Sequence, residues 1–311
     1  MKASYEGAAS GVKVLIAGAT GFIGKALVRA FISRGDEVIV LGRSKAKIHF
    51  IFKEPIRFWT WIDLETHAEP IDLIVNLAGE NIGGWWSKNK KEKLLNSRLA
   101  AIKRLIAFCK RQQEETHQSP RLFQASGIGI YGIRGDRVYD ENSPLPQDQD
   151  FLSTLAHQVE NAASEANTDG IPLLIMRFGV VLHPNGGMLE QLFPLFKYGL
   201  GTVFGRGTQF LSWISRADLI KAILFLSDHP ELTGIINLVA KEPVTQQGFS
   251  KAYARYLRRP LWLRFPPFLV KILFGEMGES LLLGSQKVVP LRLLEAGFDF
   301  DYPTLQYYFA K

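Results

Sequence analysis

The sequence predicts a doubly wound α/β fold: a parallel sheet with helices on both faces, plus a smaller C-terminal lobe. Three observations predict it. Short continuous apolar runs recur along the first 240 residues, as in strands buried on both faces. Segments with helical apolar spacing separate those runs. A glycine-punctuated turn joins the first run to the first helical segment.

The elements follow in order. Val12–Ala17 predicts the first strand. The spacing of Ile23, Leu27, Ala30 and Phe31 predicts a helix over 22–33, and Gly35 ends it. Strands are predicted over 37–41, 56–61 and 73–77. Leu94, Leu95, Leu99, Ile102, Leu105 and Ile106 predict a long helix from about Lys88 to Gln113. A fifth strand is predicted over 122–125, a helix over 151–166 and a sixth strand over 173–178. Beyond 180, glycines at 186, 187, 199, 201, 205 and 207 predict a loop-rich region. Ser215-Arg-Ala-Asp218 reads as a capping box opening a helix over 219–226, and 234–240 reads as a late strand. From Thr245 on, prolines at 260, 266, 267 and 290 separate short helices.

This pattern divides the chain into a flexible N-terminal tail (1–11), a dinucleotide-binding domain (12–240, with substrate-lobe insertions after about 180) and a small C-terminal domain (241–311). Hydrophobic residues at 47% and charged residues at 22% are ordinary globular composition. The formal net charge of +7 permits an anionic partner without identifying one. The densest basic run, Lys88, Lys90, Lys91 and Lys93, is broken by Glu92 and reads as a solvated helix face, so no nucleic-acid partner is expected. Cys109 is the only cysteine, which excludes disulfides and multi-cysteine zinc sites; its apolar neighbours make it a core residue. One cysteine and no secretory signal point to the cytoplasm. The most apolar late segment, 265–274, is too short to span a bilayer, which takes ~20 residues, so no membrane partner is expected. No metal site is read, and the oligomeric state is left as monomer or homodimer.

The glycine turn carries the chemistry. In Gly18-Ala19-Thr20-Gly21-Phe22-Ile23-Gly24 the first glycine allows the tight turn, the second lets the backbone approach a pyrophosphate, and the third lets helix and strand pack closely. Free N–H groups and the positive end of the helix dipole then face the phosphates. Strand, turn and helix stand at the spacing of a Rossmann dinucleotide site. At the end of the second strand, an acidic residue would bind a ribose 2′-hydroxyl and so favour NAD(H). Arg43 stands there instead, followed by Ser44, and suits the 2′-phosphate of NADP(H).

Further motifs add a family resemblance. Gly18-x-x-Gly21-x-x-Gly24, Asn76-Leu-Ala-Gly79 and Ser126-Gly-Ile-Gly-Ile-Tyr131-Gly132 resemble the extended short-chain dehydrogenase/reductases. Asn76-Leu-Ala-Gly-Glu80, Ser97-Arg98, Pro184-Asn-Gly-Gly187, the segment from Gly205 to Ser212-Trp213-Ile214, Gly284-Ser-Gln286 and the stretch from Arg292 to Phe298 resemble one atypical branch, the bacterial epimerase family proteins with a C-terminal domain of unknown function. The resemblance implies that Asp63 approaches the adenine, that Leu77, Ala78 and Gly79 line the cofactor, and that 178–180 lie near the nicotinamide. It also exposes a departure. The superfamily pairs Tyr with Lys four residues later, so that the ammonium lowers the pKa of the phenol. Here Leu152 and Ala156 occupy those positions, so the Tyr–Lys relay is absent. Ser126, Tyr131 and Arg98 remain as candidate catalytic residues, with Glu80 beside the cofactor and His157 as a titratable group. Trp85, Trp86 and Trp213 are candidates for the pocket wall, with core packing an equal reading. The resulting expectation is an NADP(H)-binding oxidoreductase or nucleotide-sugar epimerase-like enzyme acting on an unidentified small-molecule substrate. A non-catalytic, NADPH-binding redox-sensing regulator is the alternative.

Overall fold

The computed structural model describes residues 11–52, 56–67, 69–133, 135–146 and 150–310. The expected N-terminal tail therefore lies, except for Gly11, outside the described residues. Seven strands form the central sheet: β1 (Lys13–Ala17), β2 (Glu37–Gly42), β3 (Arg57–Thr60), β4 (Leu73–Asn76), β5 (Arg121–Gly127), β6 (Leu173–Phe178) and β7 (Gly234–Leu238). Their order is β7-β6-β5-β4-β1-β2-β3, and every pairing is parallel. The order reverses at β1–β4, which is where open parallel sheets place their ligand crevice.

The two faces of the sheet follow from the pleat, since successive side chains alternate. Val14 and Ile16 of β1 point to one face. There they meet Leu27 and Phe31 of α1 (Gly24–Arg34) and Leu219 and Ile223 of α7 (Arg216–Asp228). Leu15 and Ala17 point to the other. There they meet Leu94, Ile102 and Leu105 of α4 (Lys88–Thr116) and Leu155 and Val159 of α5 (Phe151–Thr168). Cys109 of α4 is fully buried in that second core, and burial pushes its thiol up to about 12, as suits a core residue rather than a reactive thiol.

The stretch after 180 is more regular than its glycines suggest. A strand, Val180–His183, turns at Gly186–Gly187 into α6 (Gly187–Lys197). Leu189 and Phe196 of α6 face a separate lobe core with Trp213, Phe249 and Tyr253, where Phe249 and Tyr253 belong to α8 (Gln246–Tyr256). The glycines thus sit at the turns between elements that the periodicity alone did not reveal. The lobe is completed by α9 (Pro267–Leu281), which kinks at Gly275 (φ 57°). Among the described residues, no helix is long and apolar enough to cross a membrane.

The last segment returns to the sheet. Leu293, Phe298 and Phe300 join the first-face core. The expected capping box at Ser215 is only half made. The Ser215 hydroxyl accepts from the Asp218 N–H (2.9 Å), but the Asp218 carboxylate accepts from the Ser215 hydroxyl and from the backbone N–H groups of Asp301 (2.7 Å) and Tyr302 (3.1 Å). A fully buried carboxylate thereby staples the tail to α7. Replacing it strands the buried Ser215 hydroxyl and two part-buried N–H groups, so Asp218→Ala is expected to cost about 2–4 kcal/mol, read as a lowered urea midpoint with unchanged slope; an unchanged midpoint would refute the staple.

Candidate cofactor and active site

The turn between β1 and α1 is built for close approach. Gly18 sits at φ +78°, and a Cβ there would stand 2.5 Å from the Leu77 carbonyl oxygen. A Cβ on Gly24 would stand 2.3 Å from the Gly18 carbonyl oxygen. Neither position tolerates a side chain, so the turn, the start of α1 and the end of β4 converge. Gly21 N–H donates to the Gly18 carbonyl (3.0 Å). Among the described residues, the N–H groups of Thr20, Phe22 and Ile23 have no acceptor. Orphan donors at a helix N-terminus form an anion cradle, which fits a dinucleotide pyrophosphate. The Phe22 ring turns away from it and packs against Gly186 and, edge-on, His183.

β2 ends in Gly42, and Arg43 follows it, exposed. Ser44 caps α2 (Lys45–Ile51), its hydroxyl accepting from Lys47 N–H (3.3 Å). After β3, Asp63 and Thr60 bond reciprocally: the Asp63 carboxylate accepts from Thr60 N–H (2.6 Å), and Thr60 Oγ1 accepts from Asp63 N–H (3.1 Å). These bonds hold the Asp63 carboxyl below its ordinary pKa.

Beyond β4 the chain is pinned by side chains. Asn76 Nδ2 donates to Gln124 (2.7 Å), and its Oδ1 accepts from Ala78 N–H (3.1 Å), which sets the path of Leu77 and Ala78. The Arg98 guanidinium lies over Gly79, where a Cβ would stand 2.9 Å from its Cζ, and donates to the carbonyls of Leu94 (2.8 Å) and Glu80 (3.1 Å). Ser97 Oγ accepts from Glu80 N–H (3.0 Å). Glu80 pairs with Lys90 (2.8 Å), and the hydrogen bond from Lys90, with the charges of Lys90, Lys93 and Arg43, lowers its pKa. Lys91 pairs with Glu276 (2.5 Å). Two members of the run read as a solvated face are therefore paired: Lys90 ties the site loop to α4, and Lys91 ties α4 to α9. Trp85 lies against Gly275 and is 63% exposed; Trp86 is buried and donates to the Ile82 carbonyl (2.7 Å). Trp213 is fully buried in the lobe core.

Ser126 and Tyr131 meet in a buried polar network that sequence reasoning missed. Ser126 Oγ donates to Glu160 Oε1 (2.7 Å). Arg177 forms a two-pronged pair with Glu160 (Nε to Oε1 2.8 Å, Nη2 to Oε2 2.7 Å) and donates to Tyr131 Oη (2.9 Å). Tyr131 donates in turn to Asn237 Oδ1 (3.0 Å). Glu160, Arg177, Tyr131 and Asn237 are all buried. Burial raises the Tyr131 phenol above its ordinary pKa against the pull of Arg177, and its proton is committed. The missed signal was Arg177 itself, the one charged residue in an otherwise apolar central strand, since buried charges are paired. Leu152 packs on Gly129, and Ala156 joins Ile128 and Tyr131, so apolar packing fills the positions of the absent Tyr and Lys.

Removing one partner leaves the other charge buried and unpaired. Arg177→Met is expected to cost about 3–5 kcal/mol, and the double variant with Glu160→Met should recover part of that loss. Additive losses by chemical denaturation would sink this reading of the pair.

Comparison with known proteins agrees with the geometry. The model of the NAD dependent epimerase/dehydratase family matches residues 14–238, and a domain of unknown function matches 265–310. Epimerase family protein Mb2239 of Mycobacterium bovis is 36% identical over 295 residues, 94% of each chain. The crystal structure of human epimerase family protein SDR39U1 (isoform 2) with NADPH matches at a TM-score of 0.84 and 30% identity, covering 96% of this chain and 98% of that one. The UDP-glucose 4-epimerase of Thermus thermophilus, in complex with NAD, matches at a TM-score of 0.71 but 19% identity, and shares the fold. The resemblance carried by the motifs therefore holds, and the chain belongs to the NAD dependent epimerase/dehydratase family, with the domain of unknown function as its C-terminal part.

Proposed function

We propose that this protein is an NADP(H)-binding enzyme of the short-chain dehydrogenase/reductase type, an oxidoreductase or epimerase acting on a small or nucleotide-linked substrate without a Tyr–Lys pair. The observation that carries the reading is the unpartnered donor cradle at Thr20, Phe22 and Ile23, with Arg43 exposed at the end of β2. A nicotinamide cofactor supplies the redox chemistry when bound; the chain binds, orients and excludes water. The turn residues Gly18, Thr20, Gly21, Phe22, Ile23 and Gly24 hold the pyrophosphate. Arg43 and Ser44 take the 2′-phosphate, Asp63 approaches the adenine, and Leu77, Ala78, Gly79 and Glu80 line the path between. The NADPH bound to the human relative supports this preference, while the NAD of more distant neighbours speaks for the general site only.

Within the site, Arg98 offers a positive charge held against Gly79, and Ser126 offers hydroxyl lone pairs, since its proton goes to Glu160. Tyr131 serves the network that holds Ser126 in place. We assign the protein to the cytoplasm on its single cysteine.

A second reading has its own observation. Leu152 and Ala156 fill the relay positions, and the Tyr131 proton is committed, which suits a regulator that binds NADPH without turning it over.

Titration with NADPH and NADH, followed by fluorescence, tests both readings. NADPH should bind more tightly, and Arg43→Asp should weaken NADPH at least about tenfold, a charge-assisted contact turned repulsive, with little effect on NADH. Failure of both cofactors to bind would remove the proposal. Turnover with any carbonyl or alcohol in a substrate screen favours the enzyme, and tight binding without turnover favours the regulator.

A further inference from the structure

Outside the cofactor site, one corner of the C-terminal lobe stands apart. The C-terminal end of α6 and the loop from α8 to a short strand, Leu263–Phe265, enclose an open recess of about 420 Å³. Lys197, Tyr198, Leu200, Arg259 and Trp262 line it. Tyr198 is 75% exposed and Trp262 70%. What marks the corner is that two exposed aromatics share one recess, since contiguous exposed apolar surface is what signals an interaction site. The strand leads into α9, where Phe268 and Ile272, one turn apart, are 65% and 67% exposed.

Three cations share this corner. Lys197, Arg258 and Arg259 are exposed, and none has a carboxylate partner among the described residues. Lys197 Nζ instead lies 5.7 Å and 5.9 Å from the ring centroids of Phe193 and Tyr198. Arg258 adopts a positive φ (52°) in the loop that carries Arg259.

The pairing of exposed aromatics with free cations selects the occupant. A second copy docked across a twofold axis would set Lys197, Arg258 and Arg259 against themselves, which like-charge repulsion disfavours. The cations favour an anionic occupant, and the exposed aromatics favour one that accepts apolar side chains. An anionic bilayer surface meets both conditions: amphipathic aromatics enter the headgroup boundary while Lys and Arg meet lipid phosphates. We propose that this corner docks peripherally on an anionic phospholipid surface, with headgroup phosphates at Lys197 and Arg259 and Trp262 and Tyr198 entering the interface. Peripheral docking needs no spanning segment, so it is compatible with the absence of a membrane-crossing helix among the described residues. It is a property of the folded surface, which the expectation of no membrane partner, drawn from hydropathy along the sequence, did not address. The site lies apart from the cofactor residues, so the proposal stands independently of the reading of that site.

Co-sedimentation of the full chain tests it. The vesicles are phosphatidylcholine alone, or phosphatidylcholine with about one third phosphatidylglycerol, the anionic component supplying the surface potential. The protein should pellet with the anionic vesicles, pellet little with phosphatidylcholine, and lose binding as salt rises. Lys197→Glu/Arg259→Glu should lower the partition coefficient at least about tenfold, and Trp262→Gln should weaken binding while leaving its salt dependence intact. Both variants should keep the melting temperature and NADPH titration of the parent chain, which separates lost docking from lost folding. Absence from both pellets, or equal pelleting of parent and charge-reversed chain, would overturn the proposal. So would a concentration-dependent mass increase in light scattering that the charge reversal abolishes, because the corner would then bind a second copy.

Discussion

A guanidinium near the C-terminal end of an interior parallel strand is the constraint around which the site is built. Arg177 stands in β6 between β5 and β7, where no water reaches it, and a buried charge is tolerable only when paired and fully hydrogen-bonded. Its partner must come from the helix covering that face, which fixes Glu160 on α5. The remaining donor of Arg177 must also be met, which places Tyr131 at the end of β5, and Tyr131 passes its own proton to Asn237 on β7. One charge thus sets the rotation of α5, the path of the chain after β5 and the register of a polar pair on two neighbouring strands. Ser126 inherits its orientation from the same carboxylate.

A second carboxylate ties the C-terminal segment to the sheet in a comparable way. Asp218 is buried at the start of α7 and takes its donors from Asp301 and Tyr302, more than 80 residues downstream. Glu141 repeats the device: it accepts from Asn237 N–H (2.8 Å) and the more distant Arg292 N–H (3.5 Å), and burial raises its pKa. Leu293, Phe298 and Phe300 then bury themselves in the first-face core. The tail is therefore part of the surface that supports β7, and packing crosses the division at 240 read from the pattern of elements.

The sheet was legible because a parallel strand covered on both faces writes a continuous apolar run, and all seven strands lie within a residue or two of the places the sequence predicts. The glycine turn was legible because its spacing is dictated by close approach of backbone, a demand that leaves no choice of residue. The region from 180 to 211 was not. Its strand and helix are short, one glycine pair forms a turn, and Pro194 sits inside α6, so local breakers masked the period. The network was not legible either. Ser126 and Tyr131 were picked for their chemistry, but what commits them, Glu160 and Arg177, are 17 residues apart on different elements and meet only through the fold. A charged residue in an apolar run was the available clue, and it names the need for a partner without naming the partner.

The same network bears on what chemistry is open to the site. In a Tyr–Lys relay the ammonium lowers the pKa of the phenol, which can then take or give a proton near neutrality. Here burial moves the Tyr131 phenol the other way, and the helix face where the relay would stand carries Leu152 and Ala156. Ser126 donates to a carboxylate that is itself held by a guanidinium, so its hydroxyl faces inward and its lone pairs face away from that bond. A group in this state accepts hydrogen bonds and does not give them. A ligand that engages Ser126 must therefore bring its own donor, an alcohol or an amide N–H, and the carbonyl of a ketone would meet lone pair against lone pair. That polarity is set by the buried Arg177, and it holds whether the bound cofactor is turned over or only sensed.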